Sequence, residues 1–217
     1  MRFVNMINND TTYLLDESLG HLGKIRQFQL EMASPDFAKL TPEERATKEE
    51  EFAREEGTCQ SYLDLTNITL DMIGYLTTEI IDEFLVPEIV DRFAAMLNIN
   101  LKQLVGPRSS ELKVKNPEKY GFRPKELLAA ILRIYVHLSG SDVFVKAIAR
   151  DGRSYSSDLF SKARSTVLRT GALIAEELQQ LDAFHAACEK VAQEDQTLEE
   201  QMGDIPDHFL GFLLLSI

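Results

Sequence analysis

The chain predicts an all-α fold of stacked antiparallel helices. Three observations carry that expectation. Apolar residues recur at three- and four-residue steps almost throughout, and no stretch alternates with the two-residue period of a strand for more than a few positions. Proline, glycine and capping residues also punctuate the chain at helix-length intervals. About seven helices with short connections make an all-α stack or solenoid-like array, with no internal repeat regular enough to name a repeat class.

The first helix is expected over about 3–32, where Phe3, Ile7, Leu15, Leu19, Leu22 and Ile25 lie on one stripe and Ser34-Pro35 ends the run. Thr41 is the expected N-cap of the second helix. Pro42 fits its first helical position, and two following acids face the positive helix terminus. The charged turns over 43–56, including KEEEFAREE, should project as a solvated face laced by pairs at four-residue spacing. Beyond Gly57 the same helix, or its continuation after a break, should enter a core through Tyr62, Leu65, Ile68, Met72, Ile73 and Leu76. Pro87 opens a third helix striped by Ile89, Phe93, Leu97 and Leu101 and stopped at Gly106-Pro107.

The passage PRSSELKVKNPEKYGFRPKEL holds three prolines and a glycine, so an ordered loop crossing between helix pairs is expected there. Pro124 begins the next helix, a short one follows over 143–149, and Asp151-Gly152 turns the chain. Ser156 or Ser157 should cap a helix ending at Gly171, before a last helix over about 172–201.

Composition narrows the function. A chain of 217 residues with 44% hydrophobic content can bury a substantial core. Its 23 basic and 35 acidic residues give a net charge of -12, which repels phosphate backbones and anionic bilayers, so neither nucleic acid nor membrane is an expected partner. Two cysteines and the absence of a secretion signal place the chain in a reducing compartment, the cytoplasm with the nucleus as the alternative. The glycosylation sequons at Asn9 and Asn67 are then without consequence. No apolar run reaches the roughly 20 residues of a membrane span.

Candidate chemistry is sparse. His185 and Cys188 stand three apart on one helix and could supply half of a zinc site, but no second pair at ligand spacing completes it. An ordinary helix-face histidine and a buried thiol are the expectation, as are half-buried imidazoles for His21 and His137. Phosphate loops, nucleophile elbows and zinc-protease helices are missing together. Arg150, Asp151 and Arg153 are expected to staple two helices, with a partner-binding corner as the alternative. No catalytic, cofactor-binding or metal-ligating residue is assigned, and no cofactor is expected.

Four stretches, MRFVNMINNDTTYLLDE, RFAAMLNINLKQLVGP, LKVKNPEKYGFRPKELL and DGRSYSSDLF, closely resemble the core domain of the ubiquitin conjugation factors of the E-four class, the U-box chain-elongation factors. The resemblance runs from residue 1 to about 209. It implies an armadillo-like array of paired helices carrying a C-terminal U-box that docks a ubiquitin-conjugating enzyme. It also implies an AAA-type segregase as partner, and a role in proteasomal and endoplasmic-reticulum-associated degradation. Residues 1–203 are then the C-terminal part of that core. Residues 204–217 read as a doorway, DIPDHF, resembling the approach to a U-box but followed by the apolar tail LGFLLLSI, with Gly211 where an acid is expected. The expectation is a product truncated at both ends, without the U-box and non-catalytic by itself. The alternative functions are a helical interaction scaffold or a competitor of the full-length ligase. A surface anchor is a weaker reading of the tail, because no basic residue follows Lys190.

Overall fold

The structure is a computed structural model and describes residues 2–203. The doorway and tail over 204–217, with His208, lie outside the described residues. Eight α-helices and three short 3-10 turns occur among the described residues, with no strand. The all-α expectation holds.

Helices α1 (Arg2–Met32) and α2 (Pro42–Glu79) form an antiparallel hairpin. Thr41 starts α2 as expected. Its Oγ1 accepts from the Glu44 backbone N–H at 3.3 Å, while the Glu44 carboxylate accepts from the Thr41 N–H at 2.8 Å. Pro42 fills the first helical position, where a missing N–H costs nothing.

Three expectations for this hairpin need correction. First, although α2 runs unbroken through Gly57, one of the two expected forms, and most of its charged residues over 43–54 are exposed as expected, that half does not project. Phe52 packs on Phe28 of α1 with ring centroids 5.7 Å apart, and Lys48 pairs with Glu31 at 2.6 Å. Second, the buried stripe of α2 is Cys59, Leu63, Thr66, Leu70, Ile73 and Thr77, whereas Leu65 and Ile68 are 52% and 66% exposed. Apolar residues occupy both faces here, and two threonines disguise the inner one. Thr66 Oγ1 lies 2.7 Å from Ser18 Oγ, and Thr77 Oγ1 donates to the Ile73 carbonyl at 2.9 Å, so both hydroxyls are buried with partners. Third, Phe3 is exposed and Val4 takes the buried position in its place.

Helix α3 (Ile81–Phe84) is a single turn that the apolar pattern did not reveal. It buries Phe84 against Phe93 of α4 (Pro87–Val105), with centroids 4.9 Å apart. Gly106 follows the last turn of α4, its N–H bonding the Lys102 carbonyl, and a Cβ there would come within 2.2 Å of that oxygen, so the position needs glycine.

The crossing passage is ordered by two 3-10 turns, Pro107–Leu112 and Pro117–Tyr120, and is strapped to the hairpin. Gln29 accepts from the Lys115 N–H at 2.7 Å and donates to its carbonyl at 3.2 Å. Tyr120, 2% exposed, donates its phenol to Glu56 at 2.6 Å. Asn67 donates to the Gly121 carbonyl at 3.1 Å.

The chain continues through α5 (Pro124–Leu138), α6 (Asp142–Ala149), α7 (Ser157–Thr170) and α8 (Ala175–Gly203). Gly171 closes α7 in the left-handed conformation, φ 65°, which glycine adopts without a Cβ penalty. Helix α8 starts later than the expected 172. Leu173 is buried in the connection, and the Glu177 carboxylate accepts from the Ile174 N–H at 2.9 Å, satisfying a donor ahead of the first turn.

The packing is layered. The α1–α2 hairpin lies on α4 and α5, which lie in turn on α6, α7 and α8, consistent with a solenoid-like stack. The last layer closes around an aromatic cluster. Tyr135 packs edge-on to Phe160 at 5.0 Å, and Phe144 stacks on Phe184 at 5.6 Å. Tyr135 donates to Asn98 Oδ1 at 2.9 Å, while Asn98 Nδ2 reaches the Ile148 carbonyl at 3.2 Å and Asp151 at 3.0 Å. One buried amide thus joins α4, α5, the end of α6 and the turn beyond it.

Candidate functional site

The fold brings one serine, one histidine and one acid together. Ser157 opens α7, and His185 and Glu189 stand one turn apart on α8. Ser157 Oγ lies 3.0 Å from His185 Nε2 and donates to Glu189 at 2.5 Å. A hydrolase relay needs the acid on the far nitrogen of the imidazole, so that the near one can take the serine proton. Here Glu189 receives the serine proton directly and approaches the same nitrogen, Nε2, at 3.9 Å. The trio therefore holds α7 to α8, with His185 stacked on Phe160 at 5.3 Å. It also explains the cap: Ser156 precedes α7 but makes no side-chain cap, and the Ser157 hydroxyl is committed to α8.

The other candidates are similarly engaged. Cys188 is buried with its Sγ 3.8 Å from the Val145 carbonyl, while His185 turns to Ser157. Among the described residues no group of three His, Cys, Asp or Glu side chains is placed to hold a metal ion. His21 sits between Glu55, which contacts its Nδ1, and Glu17, 3.7 Å from its Nε2, and stacks on Tyr62. Arg150 does staple two helices, through a bidentate pair to Asp195 of α8 at 2.7 and 2.9 Å, and this arginine holds the Asp195 carboxyl below its ordinary value. Asp151 serves Asn98 instead, and Arg153 contributes its carbonyl to Lys102 at 3.0 Å.

Burial pushes both thiols up to about 12, with Glu55 and Glu56 adding to the effect at Cys59 and Glu189 at Cys188. Neither thiol should react with a maleimide or a disulfide reagent in the native chain, and both should react after denaturation. Fast native labelling, followed by mass spectrometry, would contradict the burial of α2 on α1 and of α8 on α6.

His137 makes the pH-sensitive contact. Its Nδ1 lies 2.9 Å from Thr77 Oγ1, and burial lowers its pKa below 6.5, with Glu177 opposing and Arg133 assisting that shift. The unfolded chain takes up this proton at the ordinary value and the folded chain only at lower pH. Stability is therefore intact above that value and falls as pH drops toward the lowered one. Replacing His137 with Asn should flatten the urea midpoint between about pH 7.5 and pH 5; an unchanged slope would assign the acid sensitivity to other groups.

A large concavity lies elsewhere. An open groove of about 1100 Å³ lies between the end of α4, the 107–123 passage, the start of α5 and the flank of α7. Half-buried Leu104, Val105, Leu112 and Val114 supply apolar walls over the buried Phe122 and Leu128. Lys113, Lys125, Lys162 and Arg169 rim it, all exposed, and Asp158 is the one acid among its lining residues. Periodicity could not have found this groove, because its walls come from three separate segments and its cations share no local pattern.

The model of the family described as "Ubiquitin elongating factor core" matches residues 1–189. Over its whole length the chain is 38% identical to the ubiquitin conjugation factor E4 of Schizosaccharomyces pombe, and spans 22% of that protein. It is 38% identical over 97% of its length to the probable ubiquitin conjugation factor E4 of Arabidopsis thaliana, spanning 20% of it. Against the E4 ubiquitin-protein ligase UFD2 of Saccharomyces cerevisiae the identity is 36% over the whole chain, which spans 23% of that relative. The chain thus spans about a fifth of the length of the curated relatives it matches.

Proposed function

Because this chain belongs to the ubiquitin elongating factor core family, we propose that its stacked helices are the scaffold part of ubiquitin-chain elongation. The observation that carries this is the family match over residues 1–189, laid on a continuous helical stack. A scaffold of this kind accelerates transfer by holding charged conjugating enzyme, ubiquitin and substrate in a productive geometry, without a covalent intermediate of its own. The partners in this reading are ubiquitin and a ubiquitin-conjugating enzyme, with an AAA-type segregase delivering substrates to proteasomal and endoplasmic-reticulum-associated degradation. The compartment is the cytoplasm, with the nucleus as the alternative. Taken by themselves, the 217 residues are non-catalytic. In support, the Ser157, His185 and Glu189 cluster is wired as a clamp between helices.

The test is a chimera. Replacing the matching stretch of the fission-yeast relative with this chain should preserve ubiquitin-chain elongation in a reconstituted reaction, whereas the chain added alone should leave the rate unchanged. A chimera that folds, by circular dichroism and a cooperative melt, but elongates no chains would overturn the scaffold assignment. Acceleration by the chain alone would overturn its non-catalytic status. The cation-rimmed groove favours a second reading, a protein-interaction module that competes with the longer ligase for partners.

A further inference from the structure

We propose that the groove between α4, α5 and α7 is a docking site for an acidic amphipathic peptide segment of a partner protein. The inference does not depend on the ubiquitin reading. It starts from charge. The chain carries 35 acids against 23 bases, yet the groove reverses that balance, with Lys113, Lys125, Lys162 and Arg169 around it and Asp158 alone opposing them. Neighbouring cations have partners: Arg108 pairs with Glu111 at 2.8 Å, Lys119 with Glu56 at 2.6 Å, and Arg123 with Glu126 at 2.8 Å. Among the described residues, the four rim cations form no ion pair. Four positive charges left unpaired in a strongly acidic chain are complementary to acids from outside it.

The walls choose among anionic ligands. Leu104, Val105, Leu112 and Val114 are aliphatic and half-buried, so water leaves favourably only if apolar side chains replace it. A phosphate backbone offers none, and the groove has no exposed aromatic platform for a base, since Phe122 is 3% exposed. An acidic segment with interleaved leucine or phenylalanine satisfies both halves: apolar side chains enter between α4 and α7 while carboxylates reach the lysines and arginine on the rim. The open volume, about 1100 Å³, exceeds a drug-sized pocket and suits a short helical or extended segment.

The experiment uses the full chain and a fluorescein-labelled synthetic peptide of about a dozen residues, alternating Asp or Glu with Leu or Phe. Two control peptides replace either the acids by Lys or the apolar residues by Ser. Anisotropy should rise with the acidic amphipathic probe and with neither control, and affinity should fall as salt increases. The double variant Lys113→Glu and Lys162→Glu should weaken binding by about tenfold or more, and Leu112→Asp should do so while the rim charge is kept. Both changes lie at exposed or half-buried positions, and circular dichroism with a thermal melt checks that each variant is folded. Absence of binding by the acidic amphipathic probe would overturn the proposal. So would equal binding of the serine control or of inorganic polyphosphate, which would indicate an unselective anion surface. Sedimentation showing a dimer abolished by the same substitutions would overturn it too, by making a second copy the occupant.

Discussion

Replacing Phe184 with Ala should destabilise the chain by about 3–5 kcal/mol, a large share of the 5–15 kcal/mol typical of a folded domain. Phe184 is 1% exposed and brings α8 to the aromatic cluster, with ring centroids 5.6 Å from Phe144, 5.8 Å from Tyr135 and 6.1 Å from Phe160. Its neighbours arrive from α5, α6 and α7, so no single side chain can move to fill the void without pulling a helix. In urea the midpoint should fall with little change in slope. The exposed Leu198→Ala on the same helix should shift stability by less than about 0.5 kcal/mol. Equal small effects at both positions would mean that α8 does not close this core.

Removing the Asn98 side chain should cost about 3 kcal/mol although it is a small polar group. Asn98→Ala leaves the Tyr135 hydroxyl without its partner and takes a donor from Asp151 and from the Ile148 carbonyl, which keeps the Asp151 N–H at 3.3 Å, and Tyr135 and Asn98 are 0% and 1% exposed. Burial already holds the Tyr135 phenol well above its ordinary pKa, the mark of a site where water offers no substitute. Tyr135→Phe alone orphans only the amide oxygen. Because removing both partners relieves the orphaned group, the double variant should be more stable than the sum of the singles by about 1–2 kcal/mol. Strict additivity in a double-mutant cycle would show that the two groups are not coupled.

How far the sequence foretold these features depends on range. Thr41-Pro42, Gly106-Pro107, Pro124 and Gly171 act through their own backbones, so the starts of α2 and α5 and the ends of α4 and α7 follow from residue order alone. The inner face of α2 does not, because Thr66 and Thr77 are buried by hydrogen bonding rather than by hydrophobicity. KEEEFAREE is mostly solvated as its charge suggests, but its inner edge was hidden for a related reason: Glu55 and Glu56 find His21 and Tyr120, partners remote in sequence. The Asn98 junction and the cation-rimmed groove are assembled across the stack and leave no spacing to read. The family was legible because it lives in long irregular stretches, which hold both buried stripes such as Val4, Ile7 and Leu15 and exposed residues such as Met6 and Tyr13.

Two of the fastenings of α2, one near its middle and one near its end, have a mechanical consequence. The helix is 38 residues long, about 57 Å at the usual rise, and behaves as a beam. Glu56 bears on the strapped turn through Lys119 and Tyr120, and Thr77 bears on α5 through His137. A beam held at two bearings cannot pivot about either one, so a load applied to the first layer is passed to the second as a rigid displacement.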